Sequence, residues 1–438
     1  MRDLAKSMLR FSWATGLLGA SQLSSLLTGG RGPSSAGGRR APGLGGLDAV
    51  TWTTQGQLGE MLQAAFQAGD DLQDDWADLL GDAMQPWRWR RAAQQLAERS
   101  TFALGFANPG TGGALCRQEL KNKFEVYWLV KGVRKMLDLP PAGQPFALRP
   151  YVERAYGLEA YSALWVIEGL GHDYAELALE RHAPPHGLLA EDVVAGLPES
   201  CLPMLHGGLG LACAEHTLRQ LTPESSVRTT REALESFVAL CRDNALERYA
   251  DSAIEALGLD ARCFFPDLVP VLTRGLEALG DRQLARFFWH GLGRAIYFLP
   301  VNFIPGYGSL WQAVRMAERE SPHAAAYDDA LAGVAYAFAM VNMSHPGILE
   351  RVLHAHGETL RGTPFAEGIV ASVVMRHEIT PGAPVLDRFI GHQPMNGTGK
   401  LWDDVVRRPC REALGLDGGE PMRLADLYRA MADSEAGE

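Results

Sequence analysis

Two stretches place polar groups where they could act together. Glu168 and His172 are four residues apart in Trp165-Val-Ile-Glu-Gly-Leu-Gly-His172, and His290 and Arg294 in Phe287-Phe-Trp-His-Gly-Leu-Gly-Arg294. On a helix such a spacing puts both members of each pair on one face. Two arrangements are open. Each pair can be an exposed i,i+4 contact worth about 0.3–0.5 kcal/mol. Alternatively, the two stretches meet and form a buried Glu–His–Arg cluster, either structural or lining a pocket for an anionic ligand. Glu168, His172, His290 and Arg294 are therefore the candidate ligand-binding residues.

No other motif supplies chemistry. Asn396-Gly-Thr-Gly-Lys400 has Pro394 where a phosphate loop carries its leading glycine, and Leu401 where the loop needs Ser or Thr. Gly306-Tyr-Gly-Ser309 runs into Leu310 and is not a nucleophile elbow. His354-Ala-His356 would point its two imidazoles to different sides of a helix, which makes a poor single metal site. Asp70, Asp71, Asp74, Asp75 and Asp78 lack the glycine of a calcium loop and suit a solvated face. No catalytic residue, metal or cofactor is expected. The cysteines form no C-x-x-C pair, as suits buried free thiols in a reducing compartment.

The elements that must position the pairs are helices. Ala163, Ile167, Leu170 and Tyr174 recur at three- and four-residue spacing, as do Phe287, Ala295 and Phe298 around Leu292. A glycine inside a helix costs about 1 kcal/mol relative to alanine. Gly169, Gly171, Gly291 and Gly293 therefore need a compensating close approach, and a helix-crossing notch is the expected one. The second Gly-Leu-Gly follows the first by 122 residues, from Gly169 to Gly291. Gly208-Leu-Gly-Leu-Ala212 then matches Gly333-Val-Ala-Tyr-Ala337, and Glu235-Ser-Phe-Val-Ala239 matches Glu367-Gly-Ile-Val-Ala371. With alternating strand patterns almost absent, the expected fold is all-α, an internally duplicated helical body. Its units are 151–282 and 283–392, followed by a helical tail at 393–438.

Ahead of the body stands a different composition. Residues 1–27 form an amphipathic helix carrying Phe11, Trp13, Leu17 and Leu18, suited to a lipid interface or a partner's groove. Residues 28–47, rich in Gly, Ser and Pro, form a flexible linker. Residues 1–47 carry six Lys/Arg against one Asp, whereas residues 48–84 carry eight Asp/Glu and no Lys/Arg. An acidic helix and bridging helices are expected over 48–150, including one from Lys121 to Leu137 that stops before Pro140 and Pro141. The net charge of −11 disfavours nucleic acid as a partner.

Two resemblances add to this. Phe11-Ser-Trp-Ala, Leu17-Leu-Gly-Ala-Ser-Gln-Leu23 and Phe66-Gln-Ala-Gly-Asp70 resemble phasin-like segments of bacterial proteins that coat polyester granules. That likeness covers about the first 84 residues and implies a surface-adsorbing helix pair. His290-Gly-Leu-Gly-Arg-Ala295 and Gly208-Leu-Gly-Leu-Ala-Cys-Ala214 resemble an uncharacterised bacterial family found near enediyne and related polyketide biosynthesis genes. It brings no established activity or catalytic residue. The expected function is a non-catalytic helical protein attached to a lipid, polymer or partner surface, cytoplasmic or peripheral on a membrane or storage granule. The alternative is a biosynthetic accessory protein or enzyme whose body binds a hydrophobic small molecule.

Overall fold

The computed structural model describes residues 111–433, apart from 142, 181–184, 300–301, 303–308 and 396. The amphipathic segment 1–27 with Phe11, Trp13, Leu17 and Leu18, the linker 28–47 and the acidic stretch 48–84 lie outside the described residues. Contacts divide the chain into residues 1–120 with 300–309, and residues 121–299 with 310–438. The second of these units carries the fold described below. Among the described residues there are helices and no strands, so the body is all-α.

The principal helices are α1 (Thr111–Lys131), α2 (Leu148–Tyr156), α3 (Ala160–Leu179), α4 (Leu202–Leu218), α5 (Val227–Asn244), α6 (Ala250–Ile254), α7 (Ala256–Phe264), α8 (Val269–Leu279), α9 (Arg282–Phe298), α10 (Ser309–Glu320), α11 (Ala324–Asn342), α12 (Gly347–Leu360), α13 (Phe365–Ile379) and α14 (Leu424–Asp433). The helix expected over 121–137 begins earlier and breaks at Gly132, with a short turn of helix at Val133–Met136.

Local chemistry sets the ends. The Glu159 carboxylate accepts from the amides of Tyr161 and Ser162 at the start of α3, and Asp281 accepts from Leu284 at the start of α9. Both satisfy amides that a first helical turn leaves unpaired. Gly280 closes α8 in the left-handed conformation, φ 69°, which a glycine adopts without strain.

Burial sorts the helices into two kinds. α4, α11 and α13 are buried around most of their circumference, as an apolar composition on every face requires. α5, α8 and α10 each bury one stripe and leave the other face to solvent. The buried kind forms a series in which each helix packs on the next: α3 on α4, α4 on α6 and α7, α7 on α9, α9 on α11, and α11 on α13. The series turns back on itself, because the Tyr161 hydroxyl of α3 donates to the Val341 carbonyl of α11.

Glycine makes each step possible. A Cβ on Gly171 would collide with the Leu205 carbonyl, and one on Gly208 with the Glu168 carbonyl. The same reciprocal pair recurs between α9 and α11, where Gly293 abuts the Ala330 carbonyl and Gly333 the His290 carbonyl. Gly169 lies against Val130 of α1, and Gly291 against Glu255 at the α6–α7 junction. Helices therefore meet backbone to backbone at these points, where Cα–H···O contacts and dense packing replace side chains.

The third sequence match does not share this role. Glu235–Ala239 lies on α5, with Glu235, Ser236 and Ala239 exposed, whereas Glu367–Ala371 lies on the deeply packed α13 with Gly368 against the Ala332 carbonyl. A five-residue likeness on helices of different burial carries no common packing. Residues 393–438 also contribute to the body, since Trp402 is fully buried and Tyr428 of α14 reaches the interior.

Gly293→Ala should lower stability by about 1–3 kcal/mol, because overpacking against the Ala330 carbonyl exceeds the ~1 kcal/mol an alanine gains in a helix. Gly399→Ala, where a Cβ would meet nothing within 4 Å, should stay within about 0.5 kcal/mol of the parent. Denaturant midpoints of the two variants measure the contrast.

Candidate functional site

The crossing of α9 with the α6–α7 junction carries the densest polar chemistry of the body. Its centre is Glu255, fully buried, which sits where α6 ends and α7 begins. One oxygen takes two donors, His290 Nδ1 at 2.6 Å and Arg294 Nη1 at 3.0 Å. The other accepts from the Tyr428 hydroxyl at 2.6 Å. Gly291 lies between the two α9 donors in sequence and presses on the Glu255 backbone carbonyl. The glycine notch therefore brings His290 and Arg294 within reach of the carboxylate.

Aromatic rings close the cluster. Arg294 stands over the Tyr336 ring at 4.9 Å, and the His290 ring meets the same ring edge-on at 5.6 Å. Phe287 packs edge-on against Tyr428 at 5.5 Å. These contacts tie α7, α9, α11 and α14 around one carboxylate.

Glu168, buried on α3, lies in the field of the same guanidinium. Burial pushes its carboxyl pKa up, opposed by Arg294, while the negative charge of Glu255 pushes it further up. Glu255 behaves oppositely. Burial alone would raise it, but Arg294, His290 and the two hydrogen bonds from His290 and Tyr428 hold it well below the usual carboxylate range. Two carboxylates lie in the field of one arginine, and the one with direct donors is held ionised. Burial works to lower the Arg294 pKa, but Glu255 outweighs it and the guanidinium stays charged.

The sequence candidates thus divide. Glu168, His290 and Arg294 belong to one electrostatic cluster. His172 sits at its edge: it adds a favourable field at Glu168, but its Nε2 meets Glu215 Oε2 of α4 at 3.3 Å and its Nδ1 lies 3.8 Å from Asp173. Glu255 and Tyr428 were not among the candidates, although a lone glutamate in the apolar run Ala253–Leu259 is a signal of a buried acid.

Ligand atoms of His172, Asp173 and Glu176 lie within 4.8 Å of one another. Asp173 pairs with Arg134 at 3.0 Å and His172 with Glu215 at 3.3 Å, so two of the three groups already have partners. His356, one of the paired histidines of the sequence, stacks on Trp311 with centroids 4.1 Å apart. Cys201, Cys213, Cys241 and Cys410 are buried free thiols, and Cys263 is a partly buried one.

Chemically, the cluster is a charge-paired tie. Its carboxylate oxygens are engaged by protein donors, and its glycines are covered by backbone. The glycine notches are filled by neighbouring helix backbones.

Glu255→Gln should destabilise the fold by about 3–5 kcal/mol at pH 7, because it leaves Arg294 buried without its partner. A depressed carboxylate contributes stability above its unfolded pKa of about 4.3 and loses it as pH falls toward the folded value. The gap between parent and variant should therefore narrow below about pH 4. Glu168→Gln removes a carboxyl whose charged form burial disfavours, so it should cost less than Glu255→Gln. Urea midpoints across pH 3–8 check both. No family model, curated protein or solved structure matches the chain.

Proposed function

We propose that this chain is a non-catalytic helical protein whose body, residues 121–299 with 310–438, serves as a scaffold. Its N-terminal segment attaches it to a lipid, polymer or partner surface. The observation that carries the scaffold half is the engagement of Glu255 by His290, Arg294 and Tyr428. The most conspicuous polar groups of the body are directed at one another and hold four helices together. Support for the attachment half comes from composition. Phe11, Trp13, Leu17 and Leu18 lie in a basic segment, and a Gly/Ser/Pro-rich stretch separates them from the body. Apolar burial at an interface together with cationic residues is how such segments bind anionic surfaces.

The second reading, a body that binds a small molecule, is favoured by one feature. The Arg294 side chain is 17 % exposed while its partner Glu255 is fully buried, so the cluster is not sealed on the Arg294 side.

Deleting residues 1–47 should abolish sedimentation with anionic lipid vesicles and leave the melting temperature of the remainder within a few degrees. Phe11→Ser with Trp13→Ser should weaken sedimentation several-fold in the full chain. Unchanged sedimentation in both variants would overturn the attachment reading.

A further inference from the structure

A second buried charge lies where the series of helices turns back on itself, and among the described residues it has no counter-ion of its own. Arg376 of α13 is only 4 % exposed, and its Nε and Nη1 have no hydrogen-bond partner among those residues. The indole Nε1 of Trp165 on α3, 7 % exposed, makes no well-formed hydrogen bond among the described residues and has only the Tyr161 hydroxyl as a weak partner. The two are linked by Tyr161. Its ring lies 5.2 Å from the Arg376 guanidinium and meets the Trp165 ring edge-on at 6.0 Å. The Tyr161 hydroxyl is turned to the Val341 carbonyl at 3.5 Å. The carboxylate that contributes to the field at Arg376, Glu159, instead caps α3 through the amides of Tyr161 and Ser162.

The result is a set of donors without an acceptor. An isolated buried guanidinium is costly, and natural interiors pair such groups. The contrast with Arg294, held on Glu255 within the same body, makes the missing anion specific to this place. Of the three residues, Tyr161 alone is partly exposed.

We propose that Arg376 and Trp165, with Tyr161 as the flanking wall, form a binding site for a carboxylate. A planar guanidinium presents paired N–H groups that match a carboxylate's two oxygens, and the indole N–H can add a third bond. Charge selects the ligand class. One guanidinium neutralises one negative charge, whereas a phosphate dianion would leave a second charge buried and already opposed by Glu159. The aromatic walls suit the apolar part of a small monocarboxylic acid.

The test is isothermal titration of the full chain with sodium acetate, and separately with inorganic phosphate, at matched ionic strength. Acetate should bind once per chain with a dissociation constant of roughly 1 mM. Arg376→Met should weaken acetate at least about tenfold, and Trp165→Phe should weaken it about threefold. Without acetate, Arg376→Met should melt at a higher temperature than the parent, because an unpaired buried charge is gone. In saturating acetate the parent should gain melting temperature and the variant should not. Should Arg376→Met fail to fold, Arg376→Lys, which keeps the charge and loses the fork, should still weaken acetate several-fold. Absence of saturable acetate binding by the parent, equal binding by parent and the folded Arg376 variant, or binding of phosphate without acetate would each overturn the proposal.

Discussion

Contact between helix backbones is the constraint on which the rest of this structure depends. Each glycine in a helix costs about 1 kcal/mol, and Gly171, Gly208, Gly291, Gly293, Gly333 and Gly368 all sit where a Cβ would strike a neighbouring carbonyl. Close approach returns that cost through dense packing and Cα–H···O contacts. It also dictates where polar side chains can go. At the Gly291 crossing the space between backbones holds no side chain, so the flanking residues His290 and Arg294 reach the nearest acceptor on the facing element. That acceptor is the side chain of Glu255, the residue whose carbonyl Gly291 touches.

From this geometry the electrostatics follow. Glu255 is held ionised because three protein donors stabilise its charged form, whereas burial pushes the Glu168 pKa up and the shared field of Arg294 does not reverse it. The opposite preferences of the two acids come from their donors and not from depth, since both are buried. Elsewhere in the core, polar groups are treated in the same manner. His206 receives the Leu246 amide on Nε2 and meets the Leu202 carbonyl at Nδ1, and burial holds its pKa down at about 4, so it serves as a neutral linker. Asn342 joins Asn122, Tyr297 and the Phe338 carbonyl in one buried network.

Much of this was legible in the sequence, for reasons that can be named. Helical periodicity and the absence of strand alternation gave the all-α class. The Gly-Leu-Gly pairs marked close approach because nothing else repays glycine there, and the i,i+4 spacing put His290 and Arg294 on one face. Glu255 escaped because it precedes His290 by 35 residues at a junction between two short helices, and Tyr428 because it lies 173 residues from Glu255. No local pattern encodes a partner that only tertiary packing supplies. The match of Glu235–Ala239 to Glu367–Ala371 misled for the related reason that five letters carry composition but not burial.

The central claim is that the Glu255–Arg294 pair is a tie made by the helix crossing and is not an incidental surface contact. A double-mutant cycle on Glu255→Gln and Arg294→Met, read by urea midpoint at pH 7, measures that tie directly. The account predicts a coupling of at least about 2 kcal/mol, with the double variant markedly more stable than the two single losses would sum to. A coupling within about 0.5 kcal/mol of zero would contradict it, since independent sites simply add.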